Sequence, residues 1–298
     1  MTSSSAAARA TAYAGSVSST ASQRPVTATP DCRPGRDILS GLIAAAGAVV
    51  VLTGCQGAQA PDDPVARAQG VALLRPTVVA EMPHDPTAFT EGLELDGSAL
   101  YEGTGNFGHS QLRELDPATG AVRRVAPLPP DFFGEGITVD GDRIWQLTWR
   151  NNVAIEWDKD TFTPLRQVPM GGEGWGLCRD GERLIRSDGS NRLYFHDRAD
   201  LHQIGDVEVT RDGTPVRWLN ELECVDGQVW ANVWQTDEIV RIDPASGAVT
   251  AVVDAATLLP QRQPADVMNG IAYAGDDEFL LTGKDWPKTF RVRFVPAQ

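Results

Sequence analysis

Short apolar segments that alternate with polar residues recur from about residue 74 to residue 298, and turns rich in Gly, Asp and Asn separate them. Alternation with a period of two indicates β-strands with one buried face, whereas a helix needs apolar residues three and four positions apart. The best helical candidate, residues 254–259, is only a turn or two long. The pattern therefore predicts an all-β domain over 74–298.

Three patterns recur in the same order within this region. The first is a Glu or Asn before a short apolar strand, and it occurs at Glu91-Gly92-Leu93, Glu135-Gly136-Ile137, Glu173-Gly174-Trp175, Asn220-Glu221-Leu222 and Asn269-Gly270-Ile271. The second is a strand beside an Asp-Gly or Gly-Asp turn, at 100–102, 144–146, 184–186, 229–231 and 279–281. The third is a hairpin turn marked by Asp with Thr, Ser or Gly, at 115–120, 157–161, 196–200 and 242–247.

The period of the repeat indicates one architecture. The first pattern recurs at spacings of 44, 38, 47 and 49 residues, and a period near 45 with short strands is typical of a propeller blade. Five copies predict a five-bladed β-propeller, whereas a β-sandwich would need these patterns to coincide by accident. Because the innermost strand of each blade lines the central channel, the first pattern should place its residues around one rim, where we expect the site.

The N-terminal residues differ in composition from this domain. Residues 1–30 are mostly Ala, Ser and Thr and predict a disordered leader. Arg33 and Arg36 then precede an apolar run over 38–52, which is shorter than the roughly 20 residues of a membrane-spanning helix. A basic flank followed by a short apolar run is typical of an export signal.

The end of that signal, Leu52-Thr53-Gly54-Cys55, resembles the bacterial lipobox. We predict a leader and lipoprotein signal over 1–54, lipidation of Cys55, and a flexible tether over 55–73. A plain secretory signal and a short membrane anchor are the alternatives. The lipoprotein prediction implies an exported bacterial protein held by its lipid at the periplasmic or extracellular face of a membrane.

Charge narrows the range of partners. The formal net charge is -14, and the chain has no run of Lys and Arg. A protein this acidic repels phosphate backbones, so we expect no nucleic-acid partner. We expect the domain to be a monomer.

Ten motifs in chain order resemble one family, the plant- and bacterial-type glutaminyl-peptide cyclotransferases (glutaminyl cyclases). They are found at 83–93, 100–105, 133–137, 146–149, 173–177, 187–190, 219–223, 231–237, 269–272 and 282–287. The resemblance runs from about residue 79 to 294. It implies a five-bladed propeller that converts the N-terminal glutamine of peptides or proteins to pyroglutamate and releases ammonia.

The resemblance also implies roles for single residues. Glu135, in Phe133-Gly134-Glu135-Gly136, matches the general acid and base, and Asn220 and Lys284 match polar groups that contact the substrate. The matching pocket aromatics are Phe89, Trp149, Trp175 and Trp234. Without the resemblance, these residues could equally be an inner-strand Glu that binds loop amides, a turn-capping Asn, a surface Lys and core aromatics.

One position departs from the family. Glu91 stands where family members often have Gln, and a second carboxylate near Glu135 would raise the pKa of one of the two. Glu91 could also bind the substrate ammonium. Asn269 is suggested by the repeat alone, and a turn-forming role fits it as well.

Cys178 and Cys224 occupy the same position in successive repeats, three residues before the Gly of an Asp-Gly turn. Export permits a disulfide, but propeller blades diverge with radius, so we expect two buried thiols. The four His residues lack zinc-site spacing. We expect no cofactor to be required for the chemistry, although a structural cation could occupy the central channel.

Two alternative functions remain open at this stage. Glu91, Glu135, Asn220 and Asn269 are oxygen donors that could hold Ca²⁺ in a lactonase-type propeller hydrolase. A non-enzymatic propeller could instead bind a peptide or cell-wall ligand on the same face.

Overall fold

The computed structural model describes residues 70–260 and 267–297. The predictions for the leader, the signal, Cys55 and nearly all of the tether therefore lie outside the described residues. The first strand begins at Ala72, two residues before the predicted start of the domain.

Strands and turns account for the described residues, without any helix, and the all-β prediction is confirmed. Residues 254–259, the best helical candidate, form turns and bends. Nothing in the described residues is therefore a helix long and apolar enough to span a membrane. The strands are β1 Ala72–Pro83, β2 Thr90–Asp96, β3 Ala99–Thr104, β4 Gln111–Leu115, β5 Val122–Pro127, β6 Gly134–Asp140, β7 Arg143–Thr148, β8 Val153–Asp158, β9 Pro164–Pro169, β10 Leu177–Asp180, β11 Arg183–Arg186, β12 Arg192–Asp197, β13 Gln203–Glu208, β14 Thr210–Arg211, β15 Thr214–Pro215, β16 Leu219–Val225, β17 Gln228–Val233, β18 Glu238–Ile242, β19 Val249–Asp254, β20 Met268–Tyr273, β21 Glu278–Gly283 and β22 Lys288–Pro296.

These strands form successive four-stranded units. The orders β2-β3-β4-β5, β6-β7-β8-β9, β10-β11-β12-β13 and β16-β17-β18-β19 each follow the chain. A further unit, β20-β21-β22, is completed by β1, which pairs antiparallel with β22 along most of its length. The N-terminal strand therefore closes the unit that the C-terminal strands begin, and β1 also pairs in parallel with the edge of β19.

The innermost strands of the units form a closed ring of contacts. β2 contacts β6, β6 contacts β10, β10 contacts β16, β16 contacts β20, and β20 returns to β2. Apolar side chains fill the spaces between neighbouring units, as in the cluster that joins Ile185 and Leu193 to Leu222 and Val240. The sequence repeats thus correspond to units that pack side by side around a common centre.

The strand pairing corrects the sequence register of the third repeat. Ile137 of β6 pairs with Gln146, and Leu177 of β10 pairs with Arg186, which makes Leu177 the equivalent of Ile137. The third repeat is therefore Trp175-Gly176-Leu177, two residues after the predicted one. Gly174 and Gly176 both occur there, and Glu173 precedes the first of them, so the pattern selected the wrong pair.

In most units a glycine follows the first residue of the repeated inner-strand pattern, because neighbouring inner strands approach each other closely at that glycine. A Cβ added to Gly136 would lie 2.5 Å from the carbonyl oxygen of Trp175 in the next unit, closer than real Cβ contacts allow. The amide of Gly136 donates a 2.7 Å hydrogen bond to that same oxygen. Glycine is therefore required by backbone proximity rather than by a turn.

Cys178 and Cys224 form a disulfide, with a Cα–Cα distance of 5.5 Å. The prediction of two free thiols was wrong. Both residues lie on innermost strands, β10 and β16, which contact each other. Neighbouring units diverge only farther from the centre, so two cysteines on inner strands lie close enough to bond.

Candidate active site

The site residues lie where the inner strands bulge. The pairing of β2, β6, β16 and β20 with the next strand shifts register at Glu91, Glu135, Asn220 and Asn269 respectively. A β-bulge leaves a residue outside the ladder and re-aims its side chain. With Trp175 from the third unit, these residues form one ring of equivalent positions.

A cavity of about 260 Å³ opens at this ring. Its lining residues are Phe89, Glu91, Phe133, Glu135, Trp149, Trp175, Asn220, Trp234 and Lys284. All eight site residues predicted within the domain are in this set, and they come from five different units. The volume lies below the roughly 300–1,000 Å³ of pockets for drug-sized ligands, so the cavity suits one small residue rather than a long peptide.

Two buried carboxyl groups and an ammonium form the floor of the cavity. Lys284 Nζ donates a 2.6 Å hydrogen bond to Glu91 Oε1, and Asn269 Nδ2 donates a 3.0 Å bond to Glu91 Oε2. Lys284 Nζ also lies 4.5 Å from the ring centroid of Phe89. The Glu91 carboxyl is in turn within hydrogen-bonding reach of Glu135.

Burial and neighbouring charges shift the pKa values of both carboxyl groups in the floor. Burial raises the pKa of Glu91, although the neighbouring Lys284 charge partly offsets that rise. Burial and then the Glu91 charge raise the pKa of Glu135 well above its ordinary value, with a smaller contribution from Glu173. Two adjacent carboxylates do not readily both ionise. Of the two, Glu91 has the compensating Lys284 charge beside it, and the pKa of Glu135 is the one that Glu91 and Glu173 raise further.

Asn220 adds a buried polar group whose oxygen is a free hydrogen-bond acceptor among the described residues. It is 2% exposed and lines the cavity, and its Oδ1 accepts no hydrogen bond from the part of the chain that the structure describes. Buried polar atoms of folded proteins nearly always have partners. The unpartnered Asn220 Oδ1 is thus suited to accept a hydrogen bond from a ligand.

Aromatic rings form the walls. Phe133 contacts Phe89 and Trp149 edge-on, with centroid distances of 6.1 and 5.5 Å, and Trp175 contacts Trp234 edge-on at 5.6 Å. These rings are half-buried, whereas the polar floor is almost completely buried. The cavity therefore combines a dry, charged base with an apolar entrance.

Besides Phe133, which lines the cavity, two residues near it were not predicted as site residues. Trp218 is 50% exposed, and its centroid lies 5.5 Å from that of Trp234 and 6.3 Å from that of Trp175. Its φ of +66° is strained for a bulky residue. Glu173 accepts hydrogen bonds from the indoles of both Trp149 and Trp175.

The corrected register would have identified both. Phe89 and Phe133 lie two residues before Glu91 and Glu135 in the repeat, and Glu173 and Trp218 occupy that same position before Trp175 and Asn220. The repeat carried the signal, but the two-residue error in the third unit concealed it.

Metal-ligating groups in the described residues do not converge on the cavity. Among the described residues, the group of three possible ligands whose atoms lie close together is found at the β12–β13 turn, away from the cavity. It consists of Asp197, Asp200 and His202. The expected channel cation therefore stays a prediction.

Comparison with known proteins agrees with this geometry. The sequence model of the glutamine cyclotransferase family matches residues 47–294. The glutaminyl-peptide cyclotransferase of Arabidopsis thaliana is 38% identical over 217 residues, which are 70% of this chain and 68% of that protein. The crystal structure of Myxococcus xanthus glutaminyl cyclase is 35% identical, with a TM-score of 0.72, and the match covers 76% of this chain and 100% of that one. The chain belongs to the glutamine cyclotransferase family.

Proposed function

We propose that this chain is a glutaminyl-peptide cyclotransferase that closes an N-terminal glutamine to pyroglutamate, with Glu135 as general acid and base. The observation that carries the proposal is a buried carboxyl of raised pKa at the base of an aromatic cavity sized for one residue. Family membership supports the reaction, and the cavity supports the role of each residue.

In the proposed reaction, the α-amine attacks the side-chain amide carbon of the same residue. Glu135 takes a proton from the attacking nitrogen and returns one to the departing amide nitrogen, so ammonia leaves and the carboxyl ends unchanged. Burial raises the pKa of Glu135 well above that of an ordinary carboxyl group, in the direction of the higher pKa of an α-amino group. Proton transfer in both directions is efficient when the two values are close.

Lys284 and Asn220 would stabilise the oxygen that gains negative charge. Lys284 Nζ has three donors, and one is used by Glu91. Lys284 and Asn220 both line the cavity. The donors would be a further Lys284 N–H and the Asn220 Nδ2 group, because donors placed in advance around a developing oxyanion lower the barrier. The two oxygens of Glu91 are engaged by Lys284 and Asn269, so we propose that Glu91 acts through Lys284 rather than by binding the substrate ammonium.

Phe89, Trp149, Trp175 and Trp234 would hold the glutamine side chain and exclude water. The reacting groups belong to one residue, so the enzyme mainly has to select a folded conformer of it. Holding such a near-attack conformer supplies much of the rate enhancement of an intramolecular reaction.

We also propose that the ring of four-stranded units is a five-bladed β-propeller, monomeric and spanning 74–298. The inner-strand contacts and the completion of the last unit by β1 support this arrangement. Lipidation at Cys55, export and anchoring to a membrane rest on the sequence. Mass spectrometry of the mature N-terminus in a bacterial host, with Cys55→Ala as the control, tests them.

Of the alternatives, a calcium-dependent hydrolase is disfavoured by the floor of the cavity. Lys284 Nζ lies 2.6 Å from Glu91 Oε1. The ammonium therefore already pairs with the carboxylate that a Ca²⁺ ion would need. We propose that the cyclisation needs no cofactor. Activity that survives a chelator supports this, and activity lost to the chelator and restored by Ca²⁺ would favour the alternative.

The direct test is to incubate the domain with a peptide that begins with Gln and a control peptide that begins with Asn. Ammonia release and the loss of one ammonia mass from the Gln peptide alone support the function. Binding of the peptide without ammonia release would favour the non-enzymatic alternative, and neither result from folded protein would refute the assignment.

A further inference from the structure

Glu173 stands out from its repeat equivalents because it is charged. The matching positions in the other units hold Phe89, Phe133, Trp218 and Val267, all apolar. Its side chain is 37% exposed at the entrance of the cavity. Because the four equivalent positions hold apolar side chains, the contacts of this carboxylate should explain its presence.

The explanation lies in the tryptophans it contacts. Glu173 Oε2 accepts hydrogen bonds from Trp149 Nε1 at 2.8 Å and from Trp175 Nε1 at 3.1 Å. The two indoles come from different units, and one oxygen fixes the edges of both. The other oxygen, Oε1, accepts a 3.1 Å bond from Arg150 Nε, and the Arg150 guanidinium lies 3.8 Å from the Trp149 ring centroid.

The segment that carries Glu173 is itself held in place. The backbone carbonyl of Glu173 accepts a hydrogen bond from Arg186, which is 2% exposed, and Arg186 Nη2 also donates to the carbonyl of Gly171 at 3.1 Å. The carboxylate thus stands on a buried support, and its position is set independently of the two indoles.

We propose that Glu173 is a positioning residue of the cyclotransferase site, which fixes the indoles of Trp149 and Trp175 and places a negative charge within range of Glu135. This inference rests on the proposed function. Three charged groups act on Glu135: Glu91 and Glu173 raise its pKa in addition to burial, and Lys284 lowers it. Removing the Glu173 charge should therefore lower the pKa of Glu135.

Two substitutions separate the two effects. Glu173→Gln keeps one carbonyl oxygen, which can accept both indole bonds, but it removes the charge. Glu173→Ala removes the charge and the bonds. Arg150→Gln is the matched control, because it removes the ion pair on Oε1 and the Arg150–Trp149 ring contact but leaves the indole bonds in place.

The assay is the pH dependence of kcat/KM, with KM and kcat, on peptides that begin with Gln and differ in the pKa of their α-amine. A limb of the pH profile whose midpoint is the same for every peptide reports an ionisable group of the enzyme rather than of the peptide. We expect Glu173→Gln to keep a near-wild-type KM and to shift that limb to lower pH. We expect Glu173→Ala to show the same shift together with a KM at least about tenfold higher, which is the size of one lost hydrogen-bonded contact.

Other results overturn the proposal. An unmoved enzyme limb in Glu173→Gln would exclude the electrostatic effect, and a wild-type KM in Glu173→Ala would exclude the positioning effect. If Arg150→Gln reproduced the Glu173→Ala change in KM, the contacts of Arg150 rather than the indole bonds would hold the walls. Failure of the wild-type domain to release ammonia would instead refute the proposed function itself.

Discussion

The Cys178–Cys224 disulfide allows a stability prediction with a calculable size. It closes a loop of 46 residues between the third and fourth units. The chain-entropy model of cross-links gives about 4 kcal/mol at 25 °C for a loop of that length. In a domain of about 150–250 residues, each kcal/mol moves the melting temperature by about 2–4 °C, so reduction should lower it by about 8–16 °C.

The assay compares urea unfolding and thermal melting of the same wild-type protein with and without reductant. A Cys178→Ala/Cys224→Ala double variant is the control, because its stability should not respond to the reductant. Activity at 25 °C should persist in the reduced protein. The Ser187 hydroxyl still accepts from the amide of Gly176 and donates to the carbonyl of Asn220, and these bonds keep the third and fourth units in contact beside the cavity.

A wild-type midpoint that does not move with the reductant, while free-thiol labelling shows full reduction, would refute this reasoning. A shift of equal size in the double variant would assign the effect to the reductant rather than to the cross-link.

Three further predictions follow from the described contacts. Trp218→Ala should raise KM for Gln peptides but leave the free energy of unfolding nearly unchanged, because the side chain is 50% exposed; steady-state kinetics and urea unfolding together test this. Lys284→Met should lower kcat by about 10²–10³-fold, as the loss of one oxyanion donor does elsewhere, and Lys284→Arg should recover part of it; equal rates in the two variants would contradict the charge role. Gly136→Ala should destabilise the fold by about 1–3 kcal/mol, because its Cβ would lie 2.5 Å from the Trp175 carbonyl oxygen; a wild-type urea midpoint would refute this.

Much of this molecule could be predicted from its sequence because the repeat supplies an internal alignment. Strand positions, hairpin turns and the convergence of Glu135 and Asn220 on one cavity follow from equivalent residues occupying equivalent places, whereas Lys284 was predicted from the family resemblance. The repeat predicts which residues that are distant in sequence lie close together in space, whereas the pattern within a single strand does not.

The failures have physical causes as well. The predicted third repeat lies two residues early because Glu173-Gly174 fits the Glu-Gly pattern whereas the true equivalent, Trp175-Gly176, has Trp in place of Glu, and the pairing of Leu177 with Arg186 distinguishes the two. The disulfide was missed because the sequence does not reveal how far from the centre a residue lies. The Glu91–Lys284 ion pair joins residues 193 positions apart, and its geometry depends on the bulge that turns Glu91 inward.

The central claim is that Glu135, rather than Glu91, moves the protons. The most direct measurement compares ammonia release from a Gln peptide by Glu135→Gln and Glu91→Gln across pH. We expect Glu135→Gln to lose about 10²–10⁴-fold in kcat, the usual contribution of a general acid–base group. Glu91→Gln should retain substantial activity, with its enzyme limb at lower pH, because the Glu91 charge raises the pKa of Glu135. Equal loss of activity in the two variants would contradict the account.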